Sequence, residues 1–195
     1  MLPEDRGKQC LVLDLDETLI HYFYTPSGGS FLIRPFCIQF LEEMSKIFEI
    51  IIFTAAMKDV RLFCYKLKYA DKIINLIDPN NKLIQHRLYR QHTSVTNVGF
   101  VKDLSKIGRD LNRLIMIDNI PENFRLQSNN GLWIKTWTED MKDTQLKELS
   151  RILSTLISFK PSDVRLYIKR IKDDLGIHIN KNVYNPFSKI DLKQI

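Results

Sequence analysis

The sequence predicts a doubly wound, mostly parallel α/β sheet, Rossmann-like in plan, with a small β-hairpin insertion and a helical C-terminal extension. Three observations predict it. Short apolar runs recur along the chain: Cys10-Leu11-Val12-Leu13, Ile50-Ile51-Ile52-Phe53, Leu114-Ile115-Met116-Ile117, Leu132-Trp133-Ile134 and, more weakly, Ile73-Ile74-Asn75-Leu76-Ile77. They are continuous rather than alternating, as strands buried on both faces of a parallel sheet must be. Helical periods lie between them. Two stretches then break the rhythm.

The helical periods are as follows. Phe36, Phe40, Leu41 and Met44 fall on one helical face, and Val60, Phe63, Cys64 and Leu67 repeat at i, i+3, i+4, i+7. Leu104, Ile107 and Leu111 mark a short third helix. Leu146, Leu149, Ile152, Leu153, Leu156 and Ile157 mark a fourth, with Asp143 or Thr144 as its N-cap. The first break, residues 20–34, holds Pro26-Ser27-Gly28-Gly29-Ser30 between apolar stretches and reads as a hairpin turned by Gly-Gly. The second, residues 78–101, is turn-rich and then basic and β-like. It reads as an insertion over the sheet edge. After Lys160-Pro161, a helix carrying Val164, Tyr167, Ile168, Ile171 and Leu175 is expected to close at Gly176. The expected division is a catalytic-type domain over 1–159 and a basic helical extension over 160–195, packed on the domain or trailing it.

Composition excludes several classes. Of 195 residues, 44% are hydrophobic and 27% charged, an ordinary globular balance that needs no covalent staples. No apolar run approaches the roughly 20 residues of a membrane span. The start, Met1-Leu2-Pro3-Glu4-Asp5, carries no signal-peptide pattern. Cys10, Cys37 and Cys64 are unpaired in spacing and read as buried thiols of a reducing compartment, nuclear or cytoplasmic. The net charge is +6, and residues 160–195 hold eight Lys/Arg against four Asp/Glu. With no aromatic–basic interleaving, this reads as a solvated surface, and nucleic acid is not expected as a partner. A monomer is expected.

The chemistry gathers where strands end. In open α/β sheets, ligands bind at the carboxyl ends of the strands. Asp14 closes the first strand and Asp16 follows two residues later. Paired carboxylates there bind a hard cation through oxygen and divide nucleophile and acid roles. Thr18 offers a hydroxyl to brace the turn. A second strand ends in Phe53-Thr54-Ala55-Ala56, whose hydroxyl and free backbone N–H groups suit phosphate oxygens. Lys102 can neutralise charge on a phosphoryl group. Asp118-Asn119 ends a later strand and can complete the oxygen coordination of Mg²⁺.

These motifs carry a resemblance. Leu13-Asp14-Leu15-Asp16-Glu17-Thr18-Leu19-Ile20-His21 resembles the first motif of the haloacid dehalogenase superfamily. More narrowly, it is similar to the phosphatases that act on the C-terminal domain of RNA polymerase II and their small, NLI-interacting-factor-like relatives. Phe53-Thr54-Ala55 looks like the second motif, Phe100-Val101-Lys102-Asp103-Leu104 with Gly108-Arg109-Asp110-Leu111 the third, and Ile117-Asp118-Asn119-Ile120-Pro121 the fourth. The resemblance runs from about residue 9 to about 157. It implies a haloacid dehalogenase-type sheet and a Mg²⁺-dependent serine/threonine phosphatase working through an aspartyl-phosphate. It implies that Asp14 is nucleophile and metal ligand, and that Asp16 is general acid/base with its carbonyl on the metal. Thr54 and Lys102 then stabilise the phosphoryl group, and Thr18, Ala55 and Arg90 face the substrate phosphate. Asn119 ligates Mg²⁺, and Asp118 is a ligand or supports one. The implied partner is a phosphoprotein, the RNA polymerase II C-terminal repeat among the candidates.

The sequence also departs from that family. Residues 20–34 are short. Tyr24 stands where an aromatic pocket residue belongs, but the other proline-pocket positions have no counterpart. Segment 91–99 lacks the usual cysteine. Other classes fare worse. Six residues after each cysteine come Asp16, Glu43 and Ala70, never the arginine of a cysteine-based phosphatase. The four histidines lack zinc spacing. The remaining alternatives are a small-molecule phosphatase of the same superfamily, which usually carries a large cap, and a binding module of this fold without catalysis.

Overall fold

Alternate residues of the first strand serve opposite cores, and this explains the unbroken apolar run. In the computed structural model, which describes residues 7–55, 69–97, 99–180, 185–191 and 193, strand β1 (Gln9–Leu13) sends Leu11 and Leu13 to one face and Cys10 and Val12 to the other. Both sets are buried, so no position tolerates a polar residue facing water. Strands β4 (Phe48–Phe53) and β8 (Leu114–Asp118) flank β1 in parallel and divide their side chains in the same way. Strand β5 (His86–Leu88) lies outside β4, and β9 (Gly131–Trp133) outside β8, giving a five-stranded sheet in the order β5-β4-β1-β8-β9. Every pairing in it is parallel. The chain therefore starts at the centre, winds outward through β4 and β5, then crosses back to β8 and β9. That reversal opens the crevice beside the carboxyl end of β1.

Helices cover one face. Helix α1 (Cys37–Met44) buries Cys37, Phe40, Leu41 and Met44, entering through Phe36 in the left-handed region at φ 65°. Helix α2 (Tyr69–Ile77) buries Ala70, Ile73, Ile74 and Ile77. The weak strand expected over Ile73–Ile77 is thus a helix. Ala70 completes an i, i+3, i+4, i+7 set, and Asn75 and Leu76 point outward. The helix expected over Val60, Phe63, Cys64 and Leu67 lies outside the described residues. Helix α3 (Gln145–Ser158) follows its expected period. Thr144 occupies its N-cap position without a side-chain capping bond, its hydroxyl accepting instead from Asn185 Nδ2 at 2.6 Å, and Asp143 Oδ1 accepts from Gln145 N–H at 3.0 Å.

The third expected helix is two 3₁₀ turns, Leu104–Ile107 and Leu111–Arg113. Gly108, at φ 72°, breaks the run between them, and Asp103 and Asp110 cap the two turns. Together with the 3₁₀ segment Pro121–Asn130, they cover the second face through Leu104 and Phe124. Helix α4 (Val164–Asn180) runs on through Gly176 rather than stopping there. Its Val164, Ile168, Ile171 and Leu175 join the core shared with α1, α2 and α3. Apolar contact outweighs the helix cost of one glycine, about 1 kcal/mol.

The hairpin is β2 (Ile20–Thr25) against β3 (Gly28–Ile33). Its turn is Pro26-Ser27, and the two glycines open β3 instead. Thr25 donates to Gly28 O at 2.8 Å. Gly29 is bare because a Cβ there would meet the Tyr22 hydroxyl at 1.8 Å. Residues 78–101 are also more than a cover. They supply the edge strand β5 itself and a separate hairpin of β6 (Ser94–Thr96) and β7 (Gly99–Val101). Among the described residues, no helix is long and apolar enough to cross a membrane.

One buried charge anchors β4. Glu49 has no exposed surface, and Arg109 donates to its two oxygens at 2.6 and 2.7 Å, with His86 Nε2 3.2 Å away. The hydrogen bonds from Arg109 hold its carboxyl below the ordinary 4.5, against the opposing effect of burial. A carboxylate with a depressed folded pKa stabilises the fold above its unfolded pKa and loses that contribution as pH falls through the folded value. Glu49→Gln should therefore be less stable than the parent at pH 7. The gap should narrow below about pH 4.5 in urea titrations, and a gap independent of pH would refute the pair's role.

Candidate active site

The site begins with a bend that β1 makes as it leaves the sheet. Asp14 still donates its N–H to Ile117 O, at 3.0 Å, so it is held between the ends of β1 and β8. Glu17 then turns the chain in the left-handed region at φ 55°, a strained conformation for a residue with a side chain. Its N–H bonds Ile20 O at 2.6 Å, and its O accepts from Trp137 N–H at 2.8 Å. The turn brings Thr18 back over Asp14. Its hydroxyl donates to Asp14 Oδ2 at 3.0 Å and lies 3.4 Å from Asn119 Oδ1.

Lys102 reaches the same carboxylate from below. Its Nζ donates to Asp14 Oδ1 at 2.5 Å and to Asp118 Oδ2 at 2.7 Å, and only 1% of the lysine is exposed. Its backbone N–H donates to Asn123 O, and the Asn123 amide donates to both Asp118 oxygens at 3.0 Å. Ile120 N–H donates to Asp118 Oδ1 at 2.8 Å. Both Asp118 oxygens are thus occupied by donors, and Asp118 supports Lys102 from behind.

Charge is concentrated here out of water. Burial pushes the Asp14 carboxyl up to about 7, against the pull of the Lys102 ammonium, and Asp118 adds to the rise. Burial disfavours the Lys102 charge as well, but Asp14 and Asp118 outweigh it and raise its pKa. Asp14 is therefore a desolvated carboxylate with one buried cation beside it, a reactive environment rather than a resting one.

The cleft above Asp14 has a volume of about 310 Å³ and is lined by Asp14, Asp16, Tyr22, Ala55, Arg90 and Asn119, among others. Asp16 Oδ2 accepts from the Thr54 hydroxyl at 2.8 Å. Thr54 also spends its backbone N–H on Leu88 O, at 3.0 Å, so that group is not free for an anion as the sequence suggested. Arg90 donates from Nε to Ala55 O at 2.6 Å. Arg87, three residues earlier, points elsewhere and bonds Asp71, Asn75 and Asn81. Thr18 has no exposed surface, so it stands behind the cleft rather than in it.

Two residues that the sequence did not assign to the site, Asp143 having been read only as a helix cap, hold this loop. Arg34 is 1% exposed and pairs bidentately with Asp143, both bonds 3.0 Å, while its Nη1 donates to Thr18 O at 3.0 Å. One guanidinium thus ties the Asp14–Thr18 turn to the start of α3. The only sequence hint was an arginine next to Pro35, just before an apolar helix.

The donor set suits Mg²⁺. Asn119 Nδ2 donates to Thr136 Oγ1 at 3.2 Å, which turns Oδ1 toward Asp14 and Thr18. Among the described residues, no three His, Cys, Asp or Glu side chains converge on one point. Magnesium does not need three. It takes one or two carboxylates and completes its octahedron with water and substrate phosphate.

Comparison with known proteins gives the family. A family model described as "NLI interacting factor-like phosphatase" matches residues 9–165. The chain belongs to that family. The match spans the sheet and all the cleft residues, and it bears out the resemblance read from the motifs. Among relatives, the chain is 40% identical to "CTD small phosphatase-like protein 2" of Dictyostelium discoideum, over 83% of this chain and 29% of that protein. It is 36% identical to "CTD small phosphatase-like protein 3" of Caenorhabditis elegans, over 86% of this chain and 62% of that protein. The chain thus spans less than two thirds of either relative. The solved structure of Fcp1, described as an essential RNA polymerase II CTD phosphatase, shares the fold. It aligns over 92% of this chain and 68% of its own, with a TM-score of 0.62 and 16% identity.

Proposed function

We propose that this domain is a Mg²⁺-dependent protein serine/threonine phosphatase that passes the phosphoryl group through Asp14. The observation that carries the reading is the buried Asp14–Lys102–Asp118 array, with Asp16 held at the mouth of the same cleft. A solitary carboxylate is repelled by a phosphate dianion. Lys102 offsets that repulsion, and Asp118 keeps the ammonium charged and aimed. When bound, Mg²⁺ supplies further charge neutralisation and orients the phosphate; Asp14, the Asp16 carbonyl and Asn119 Oδ1 would hold it.

In the first step an Asp14 oxygen bonds to phosphorus as the seryl oxygen leaves, and Asp16 delivers a proton to that oxygen. In the second step Asp16 takes a proton from water as the water oxygen bonds to phosphorus and the Asp14–phosphorus bond breaks. Inorganic phosphate departs and both carboxyls regain their starting states. Thr54, on Asp16 Oδ2, orients the acid. Thr18, which the resemblance placed on the substrate phosphate, acts from behind by fixing Asp14 and Asn119. Arg90 and Ala55 line the cleft and meet the phosphoryl oxygens.

A protein or peptide substrate fits because, among the described residues, the insertions beside the cleft are small. The β2–β3 hairpin and the β6–β7 hairpin flank it, and neither is a domain-sized cap. The relatives' names point to the RNA polymerase II C-terminal repeat as a substrate class to test. The free, buried thiols Cys10 and Cys37, both pushed up to about 12 by burial, suit a reducing nuclear or cytoplasmic setting. The test compares phosphoserine peptides with sugar phosphates at equal concentration, with and without Mg²⁺. Peptide turnover that disappears on adding a chelator is expected. Preference for the sugar phosphates, or full rates without a divalent ion, would sink the reading.

A further inference from the structure

The β6–β7 hairpin carries an exposed apolar face at the rim of the cleft. Val95 and Phe100 are cross-strand partners, 77% and 53% exposed. Directly opposed residues place their Cβ atoms about 5 Å apart, so the two side chains make one patch. Two features join that patch to the cleft. Arg90, which lines the cleft, places its guanidinium carbon 5.5 Å from the centroid of the Phe100 ring. Phe100 also precedes Lys102 by two residues, about 7 Å along an extended chain. Tyr22 of β2 also lines the cleft, and Tyr24 on the same strand is 57% exposed. Arg90 is thus the link between the cleft and the Val95–Phe100 patch.

We propose that the Val95–Phe100 face, reached across Arg90, is a docking platform for an apolar side chain of the phosphopeptide, two or three residues from the phosphorylated one. The proposal rests on the phosphopeptide reading above and adds the substrate's sequence preference to it. The spacing follows from the strand rise. At about 3.4 Å per residue, two or three extended residues carry a side chain about 7–10 Å from the reacting centre. A phosphate monoester small enough to sit within the cleft does not reach so far. The tip of the β2–β3 hairpin offers less apolar surface, since Gly28 and Gly29 leave the start of β3 without side chains. Arg90, stacked on Phe100 and bonded to Ala55 O, fixes the position of the platform relative to the phosphate site. It also favours an apolar group at the platform over a basic one, which its own charge repels.

The experiment uses phosphoserine peptides of otherwise neutral, small residues, with one leucine moved through the three positions on either side. Each kcat/KM is divided by the same enzyme's kcat/KM for p-nitrophenyl phosphate, which removes differences in intrinsic activity. Leucine two or three residues away, on one side, is expected to raise the ratio about tenfold. Val95→Asn and Phe100→Ser should each cut that advantage severalfold, and Phe100→Leu should keep most of it. Val95 is so exposed that its replacement does not threaten the fold. Equal ratios for every leucine position, or an advantage that survives both polar variants, overturns the platform. If no peptide is turned over while p-nitrophenyl phosphate is, the phosphopeptide reading itself fails, and that result is distinct from the first two.

Discussion

Asp14→Asn is expected to lower kcat/KM for p-nitrophenyl phosphate at least about a thousandfold while leaving the protein folded. Asparagine keeps the shape and one acceptor oxygen, so either Thr18 or Lys102 still has a partner. It lacks the negative charge and the second nucleophilic oxygen. Stability should move in the opposite direction to activity. The Asp14 carboxyl sits at about 7 because burial disfavours its charge. A carboxyl raised above its unfolded value costs the fold increasing stability as pH rises from about 4 toward 7. The Asp14→Asn variant escapes that cost. Its melting temperature should match or exceed the parent's at pH 8, and the difference should shrink toward pH 4. Activity and melting together decide the matter. A variant that is inactive and unfolded says nothing for the mechanism, and a fully active one refutes it.

The second large effect concerns stability. Arg34→Met should cost about 3–5 kcal/mol, read from urea midpoints at pH 7, because it strands the Asp143 carboxylate in the interior. Arg34 has almost no exposed surface and makes three hydrogen bonds, two to Asp143 and one to Thr18 O. Removing one partner of a buried pair leaves the whole desolvation penalty of the other. The double variant Arg34→Met/Asp143→Leu should recover much of the loss, since neither charge then remains. A single-variant cost under about 1 kcal/mol would show that the pair contributes little. The double variant also separates two roles. Recovered stability with activity still low would assign Arg34 to holding the Asp14–Thr18 turn through the Thr18 carbonyl.

Much of this was legible in the chain because its signals are local. Leu11, Val12 and Leu13 need no partner to declare a strand buried on both faces, and the spacing of Phe40, Leu41 and Met44 declares a helix. Asp14 and Asp16, placed just past such a strand, were readable as a site because parallel sheets bind ligands at that end. Where local signals conflict, the reading failed. Ile73–Ile77 is apolar and β-branched enough for a strand, and only Ala70, one turn earlier, completes its helical face. Gly28-Gly29 looked like a turn, but Pro26-Ser27 could make it and Tyr22 needed the bare backbone.

The sequence by itself therefore determined the parallel sheet, the order of its motifs and the presence of acidic residues and a lysine at the carboxyl end of that sheet. Only the tertiary structure decided how that site works. Lys102 lies between Asp14 and Asp118 because the chain just after β7 bonds the 3₁₀ segment that follows β8, through Lys102 N–H to Asn123 O. Thr18 stands behind Asp14 rather than before the substrate. Arg34 closes on Asp143 across a separation of 109 residues. The physical reason is common to all three. Burial and charge pairing between distant segments set the strength of a carboxylate, and no local pattern of residues records which distant groups will share its low-dielectric surroundings.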